Sequence, residues 1–273
     1  MGSGIAEVFA RAGYTVAVHE IDNDAAARGR ARIAASVERA ARSGKITEAA
    51  AEQCASLISV GTDLDALADA SLVIEAASEE QSIKTSLFAR LDEVLVRDDA
   101  ILASNTSSIP IMKLGTVTRR PEQVIGMHFF NPVPVLPLVE IVPSLLTSPE
   151  TVQKVQDLAE TDLGKTVIRS QDRAGFIVNA LLVPYLLSGV RMLESGFASA
   201  HDIDAGMVQG CAHPMGPLQL TDLIGLDTTK AIAESLYAEF KEPLFSPPPM
   251  LLRMVDAGLL GRKSGRGFYE YRT

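Results

Sequence analysis

The chain has 273 residues, 47% of them hydrophobic and 22% charged, and a formal net charge of -9. That composition supports a core of ordinary size in one large domain or two smaller ones. The negative charge excludes a general nucleic-acid or anionic-membrane surface. Cys54 and Cys211 stand far apart without partners at metal-ligand spacing, so no disulfide framework and no metal site is expected; both read as buried, reduced thiols of a cytoplasmic protein. No basic region followed by an apolar core opens the chain. The longest apolar passage, residues 176–190, is too short for a bilayer and is interrupted by Asn179, Pro184 and Ser188, so it is expected to be a buried helix.

Ile5, Val8, Phe9 and Ala12 recur at helical spacing, Gly13 stops that helix, and Thr15 to Val18 form a short strand followed by the acid Glu20. Helix, glycine, strand and acid make the second half of a dinucleotide-binding βαβ unit, the acid serving the adenine ribose and favouring NAD over NADP by charge. A long Ala/Arg helix runs from Asp24, its expected N-cap, to Ser43. Its basic side, Arg28, Arg32, Arg39 and Arg42 with Lys45 beyond, reads as a solvated face or an anion contact. Strands are expected at 57–60, 72–74, 100–103 and 124–127, with helices at 63–68, 80–96 and 109–114. Such alternation predicts a parallel sheet covered on both faces, with ligands at the carboxyl ends of the strands. A helix from Pro149 and a strand at 166–168 complete this part. From Gly175 onward the pattern is helical, with helices at 176–195, 201–210, 215–224, 226–240 and 248–257, and the boundary falls near Asp172. The expected class is therefore α/β: a Rossmann-like, mostly parallel sheet domain lacking its first strand (1–172), then an all-helical domain (173–273).

The polar residues at the strand ends carry the chemistry. His128 ends one apolar run and Glu140 lies inside the next, with Pro132, Pro134 and Pro137 fixing the connection between them. An imidazole whose second nitrogen is tied to a buried acid is a poised general base; a core histidine bonded to a backbone carbonyl is the alternative. Ser104 to Ser108, after the strand at 100–103, would hold a substrate oxygen or a carboxamide, or would cap the next helix. Asn179, alone among apolar residues of its helix, needs a partner if buried. Ser107 and His128 do not read as a hydrolase pair, because no Gly-x-Ser-x-Gly elbow surrounds the serine.

Several segments together, Ala103-Ser104-Asn105-Thr106-Ser107-Ser108, His128-Phe129-Phe130-Asn131-Pro132, Leu138-Val139-Glu140, Gly175-Phe176-Ile177-Val178-Asn179, His213-Pro214-Met215-Gly216-Pro217 and 261–269, resemble the short-chain 3-hydroxyacyl-CoA dehydrogenases, the bacterial 3-hydroxybutyryl-CoA type above all. The resemblance implies NAD-linked interconversion of an L-3-hydroxyacyl-CoA and its 3-ketoacyl-CoA in a homodimer, with the substrate in a cleft between the domains. It implies that His128 takes the hydroxyl proton, Glu140 orients and charge-balances it, and Ser107 and Asn179 hydrogen-bond the reacting oxygen. It places Gly2, Glu20, Glu79, Lys84, Asn105 and Lys263 at the cofactor, and Ser36, Arg42 and Lys45 near the adenosine phosphates of CoA. It also implies a further stretch upstream carrying the first, central strand and two glycines, so Met1 is expected to be an internal methionine. A catalytically inactive dimeric or CoA-binding relative that has lost its cofactor site is the alternative to the enzyme.

Overall fold

Residues 1–271 are described by a computed structural model, which divides the chain into one unit ending at Asp172 and another beginning at Arg173. In the first unit α1 (Gly2–Arg11), β1 (Val16–His19), α2 (Asn23–Arg42), α3 (Glu48–Ser56) and β2 (Ile58–Gly61) come first. They are followed by β3 (Leu72–Glu75), α4 (Gln81–Val94), β4 (Ile101–Ser104), α5 (Ile111–Gly115), β5 (Val124–Phe129), β6 (Leu138–Pro143), α6 (Pro149–Asp157) and β7 (Thr166–Arg169). β1 and β2 pair in parallel, while the larger sheet has the order β3-β4-β5-β6-β7. β3, β4 and β5 run parallel to one another, while β6 and β7 run parallel to each other and antiparallel to those three.

The strand sequences explain this placement. Every residue of β4 and β5 is buried, as expected of strands covered on both faces, which read as continuous apolar runs rather than as alternation. Ile101, Ala103, Ile125, Met127, Val139 and Ile141 form one core with Ile5 and Val8 of α1 and Val152 and Val155 of α6. A second core joins Ala6 and Ala10 of α1 to Ile33 and Val37 of α2 and Cys54 of α3. Gly126 matters for closure. A Cβ there would stand 2.8 Å from Cβ of Val142 and 3.0 Å from Ile111, so only glycine lets β6 and α5 close on β5 at this point.

Local expectations hold for most elements, with three corrections. Asp22, not Asp24, caps α2 and accepts from the Ala25 N–H at 2.6 Å; Asp24 sits in the first turn, where its charge complements the helix dipole. The helix α3 was not anticipated. Its Ala-rich sequence has a weak apolar stripe, but Thr47 caps it by accepting from the Ala50 N–H. Cys211 is exposed, not buried, whereas Cys54 is buried; it ends a helix whose buried residues lie further back.

The second unit consists of α7 (Val178–Glu194), α8 (Ala200–Cys211), α9 (Pro217–Ile224), α10 (Leu226–Phe240) and α11 (Pro249–Asp256). Val183, Leu187, Val190, Leu218, Leu226, Leu236 and Leu251 form its core. No helix among the described residues is long and apolar enough to cross a membrane. Two buried acids stitch the carboxyl-terminal segment to this bundle. Asp222 accepts from the N–H groups of Phe268 and Tyr269 and from the Tyr271 hydroxyl, and Asp204 accepts from the N–H groups of Leu218 and Gln219 and from the Tyr269 hydroxyl. Burial, reinforced by the Asp222 bond, pushes the Tyr271 phenol up to about 12, so it donates throughout the physiological range. Gly267 lets the segment approach, since a Cβ there would lie 2.0 Å from Oδ1 of Asp222.

Each donor stranded in the interior costs about 1 to 3 kcal/mol. Asp222→Ala is therefore expected to destabilise the second unit by about 3 kcal/mol or more, read as a lower urea midpoint for the transition that reports the tyrosines. An unchanged midpoint would show that the acid is dispensable.

Candidate active site

β5 and β6 are antiparallel neighbours in which His128 stands directly across from Glu140. Directly opposed residues project to the same face of a sheet with Cβ atoms about 5 Å apart, close enough for the side chains to bond. Nδ1 of His128 lies 2.7 Å from Oε2 of Glu140; the histidine is 6% exposed and the glutamate fully buried. Phe130 meets the imidazole edge to face, with centroids 4.6 Å apart. The connection between these strands is pinned by Lys165, whose ammonium donates to the carbonyls of Val133 and Leu136 at 2.6 and 2.8 Å. The proline-bounded connection thus delivers the pair that the sequence predicts. His128, however, lies within β5 rather than beyond its end.

Beside this pair, the ends of β3 and β4 carry a buried ionic network. Glu75, the last residue of β3, accepts from Lys84 Nζ at 2.6 Å, from the Ser104 hydroxyl at 2.6 Å and from the Ala77 N–H at 2.5 Å. Lys84, on α4, is 1% exposed and also lies 3.3 Å from Oε2 of Glu79. Oε1 of Glu79 then gathers the Thr106 hydroxyl at 2.5 Å and the N–H groups of Ser107 and Ser108 at 2.9 and 3.2 Å. Burial works to raise the Glu79 carboxyl, but the bond from Thr106, the charge of Lys84 and the bonds from Ser107 and Ser108 outweigh it, and the net shift is downward. Asn105 accepts from the Phe129 N–H at 2.9 Å through its side-chain oxygen, tying the loop after β4 to the residue next to His128. Lys84 and Asn105, expected at the cofactor, thus hold the loop that bears Ser107.

The remaining expected residues fall into three places. At the amino end of the first unit, α1 begins at Gly2 without a side-chain cap, so its first-turn N–H groups offer donors to a diphosphate. Glu20 follows β1, its N–H donating to the Gly61 carbonyl at 2.9 Å. α2 passes beneath it, since a Cβ on Gly29 would lie 3.3 Å from Oε1 of Glu20. A partly open acid beside an uncapped helix start fits the adenosine half of NAD: ribose hydroxyls to the acid, diphosphate to the helix. On α2, Ser36 is half-buried and Arg42 exposed, and Lys45, just beyond the helix, is exposed too; Arg42 is paired with Glu38 one turn back, which lessens its availability for a CoA phosphate. In the second unit, Asn179 is buried on α7 and Lys263 is paired with Asp227 at 2.5 Å.

Sequence reading alone missed Glu75 and Asp227 as supporting groups, and it marked Ser104 for a ligand or a cap rather than for Glu75, to which its hydroxyl donates. Glu75 had a signal, being the polar residue at the end of an apolar strand, but its partner Lys84 lies a helical turn into α4. Asp227 had none, because 36 residues separate it from Lys263.

The fold and the site define a dinucleotide-binding dehydrogenase domain followed by a helical domain. Residues 1–173 match the NAD-binding domain of 3-hydroxyacyl-CoA dehydrogenase, and residues 175–271 match the carboxyl-terminal domain of that enzyme. A 3-hydroxybutyryl-CoA dehydrogenase of Mycobacterium tuberculosis is 56% identical over 271 residues, 99% of this chain and 95% of the relative. A pig mitochondrial hydroxyacyl-coenzyme A dehydrogenase is 40% identical, with 100% of this chain and 88% of the relative aligned. Among solved structures, that of M. tuberculosis FadB2 matches with a TM-score of 0.98 at 56% identity, covering 100% of this chain and 95% of that one. The (S)-3-hydroxybutyryl-CoA dehydrogenase PaaH1 of Ralstonia eutropha matches with a TM-score of 0.93 at 43% identity, covering 100% and 96%. The chain belongs to the 3-hydroxyacyl-CoA dehydrogenase family and is an NAD-dependent oxidoreductase.

A carboxyl held below its usual value stabilises the fold above the unfolded pKa, and that stability is lost as pH falls through the folded pKa. Glu79→Gln is therefore expected to destabilise the protein at pH 7, with the gap to wild type shrinking as pH falls below about 4.3. Calorimetric melts from neutral to acid pH would show this, and a gap independent of pH would contradict it.

Proposed function

We propose that this chain interconverts an L-3-hydroxyacyl-CoA, 3-hydroxybutyryl-CoA foremost, and the corresponding 3-ketoacyl-CoA, with His128 as the general base. The observation that carries this reading is the buried 2.7 Å bond between Nδ1 of His128 and Oε2 of Glu140. With Nδ1–H donated to the carboxylate, Nε2 is the nitrogen that takes the 3-hydroxyl proton, and Glu140 stabilises the imidazolium that results. NAD, when bound, supplies the hydride acceptor. Ser107 and Asn179 hydrogen-bond the reacting oxygen, and these bonds strengthen as the departing proton leaves negative charge on it. Glu79 keeps the Ser107 backbone in place, and Lys84 and Glu75 keep Glu79 in place. In the reverse direction the imidazolium returns its proton to the oxygen. The names of the similar proteins support the four-carbon substrate, and Ser36, Arg42 and Lys45 are assigned to the CoA end.

The working form is proposed to be a cytoplasmic homodimer joined through the helical unit. Leu181 is 73% exposed and Phe197 79% exposed. Leu181 and Met192 are eleven residues apart on α7, three turns, and so share one face. Ser188, Met192, Ser195 and Phe197 line one surface hollow. Large apolar side chains exposed together in this way mark a contact surface, and the same patch on two copies makes a self-complementary dimer.

Oxidation of NADH by acetoacetyl-CoA, followed by the loss of reduced-nicotinamide absorbance, is the direct test; a protein that binds NADH but consumes none would sink the proposal in favour of an inactive relative. His128→Gln is expected to lower kcat by about 10²- to 10⁴-fold while leaving the dissociation constant of NADH nearly unchanged, whereas equal losses in both would make the histidine structural. Light scattering should find a dimer for the wild type and a monomer for Leu181→Asp/Phe197→Asp.

A further inference from the structure

Phe130 has no task in the reaction as described, yet it touches the imidazole. The two ring centroids are 4.6 Å apart and the planes are inclined at 61°, within the separation of about 4.5 to 7 Å at which aromatic rings attract edge to face. Side chains alternate between the faces of an extended chain, so residues 128 and 130 share a face and Phe129 turns to the other. Phe129 is 2% exposed and sits in the core of the first unit, whereas Phe130 is only half-buried. Filling the interior accounts for the first phenyl ring and not for the second.

The backbone on either side of Phe130 is anchored. Asn105 accepts from the Phe129 N–H at 2.9 Å, and Lys165 donates to the carbonyl of Val133, itself 2% exposed, at 2.6 Å. The phenyl ring is therefore presented to His128 from a fixed position. Rotation about the Cβ–Cγ bond of a histidine has a broad minimum, and a carboxylate oxygen accepts over a wide range of directions. The 2.7 Å bond to Glu140 thus sets the reach of the imidazole more tightly than its plane. Turning that plane swings Nε2 away from the proton it takes, and a misplacement of about 1 Å at a reacting group costs about 100-fold in rate. We infer that Phe130 is a positioning residue for His128: its ring bears on the imidazole and fixes the plane in which Nε2 meets the substrate hydroxyl. The inference rests on His128 as the base.

Steady-state oxidation of NADH by acetoacetyl-CoA, with NADH binding titrated separately on the same folded proteins, tests it. Phe130→Leu removes the ring but keeps an apolar side chain; it is expected to lower kcat about 10- to 100-fold, while the KM for acetoacetyl-CoA and the dissociation constant of NADH stay nearly unchanged. Phe130→Tyr keeps the ring and is expected to keep most of kcat. In the His128→Gln background Phe130→Leu is expected to cost little more, because residues that act as a unit are not additive. An unchanged kcat in Phe130→Leu, a parallel loss of NADH affinity, a tyrosine protein as slow as the leucine one, or the same fold-loss in both backgrounds would each overturn the inference, since the ring would then not act through the base. A His128→Gln protein with wild-type kcat would overturn the base assignment, and the inference with it.

Discussion

The register between β5 and β6 is the constraint on which the chemistry depends. Side chains alternate between the faces of a strand, so a slip of one residue sends every side chain to the other face. With His128 opposite Glu140, Met127 opposite Ile141 and Phe129 opposite Val139, the apolar neighbours fill the core on one face while histidine and acid meet on the other. Any other register would bury the acid without its partner, an expensive arrangement in a medium of low polarity. The same packing that stabilises the sheet therefore selects the functional pairing. Gly126 permits the close approach of β6, and Lys165 holds the ends of the connection.

Around that pair the protein retains several buried charges, which needs a physical reason. Burying Lys84 and Glu75 costs both their hydration, and their mutual attraction offsets the loss only when the remaining donors and acceptors are satisfied. They are satisfied here, by Ser104, Ala77 and Glu79. The result is a stiff polar frame beneath the loop that carries Ser107. A hydrocarbon core of the same volume would hold the strands as well, but it would not direct N–H groups and hydroxyls to one carboxylate oxygen. Positioning of a reactive group calls for such directional bonds, and the frame lies at the carboxyl ends of parallel strands, where this class of sheet binds its ligands.

Much of this was legible along the chain. Apolar runs punctuated by glycine and proline marked the strands, the 3.6-residue period marked the helices, and the polar residues after the strands marked the site, because these are local consequences of side-chain size and backbone freedom. His128 and Glu140 could be paired from the prolines between them, since the connection is short. Asp227 with Lys263 and Glu75 with Ser104 could not, because each unites segments whose separation in sequence says nothing about their separation in space. The sequence by itself determined the fold class and the family, and it singled out His128 and Glu140 as a pair. Only the tertiary structure decided that Lys84 is sealed against Glu75 and that Cys211 is open to solvent, since burial and long-range pairing arise from how the elements close on one another.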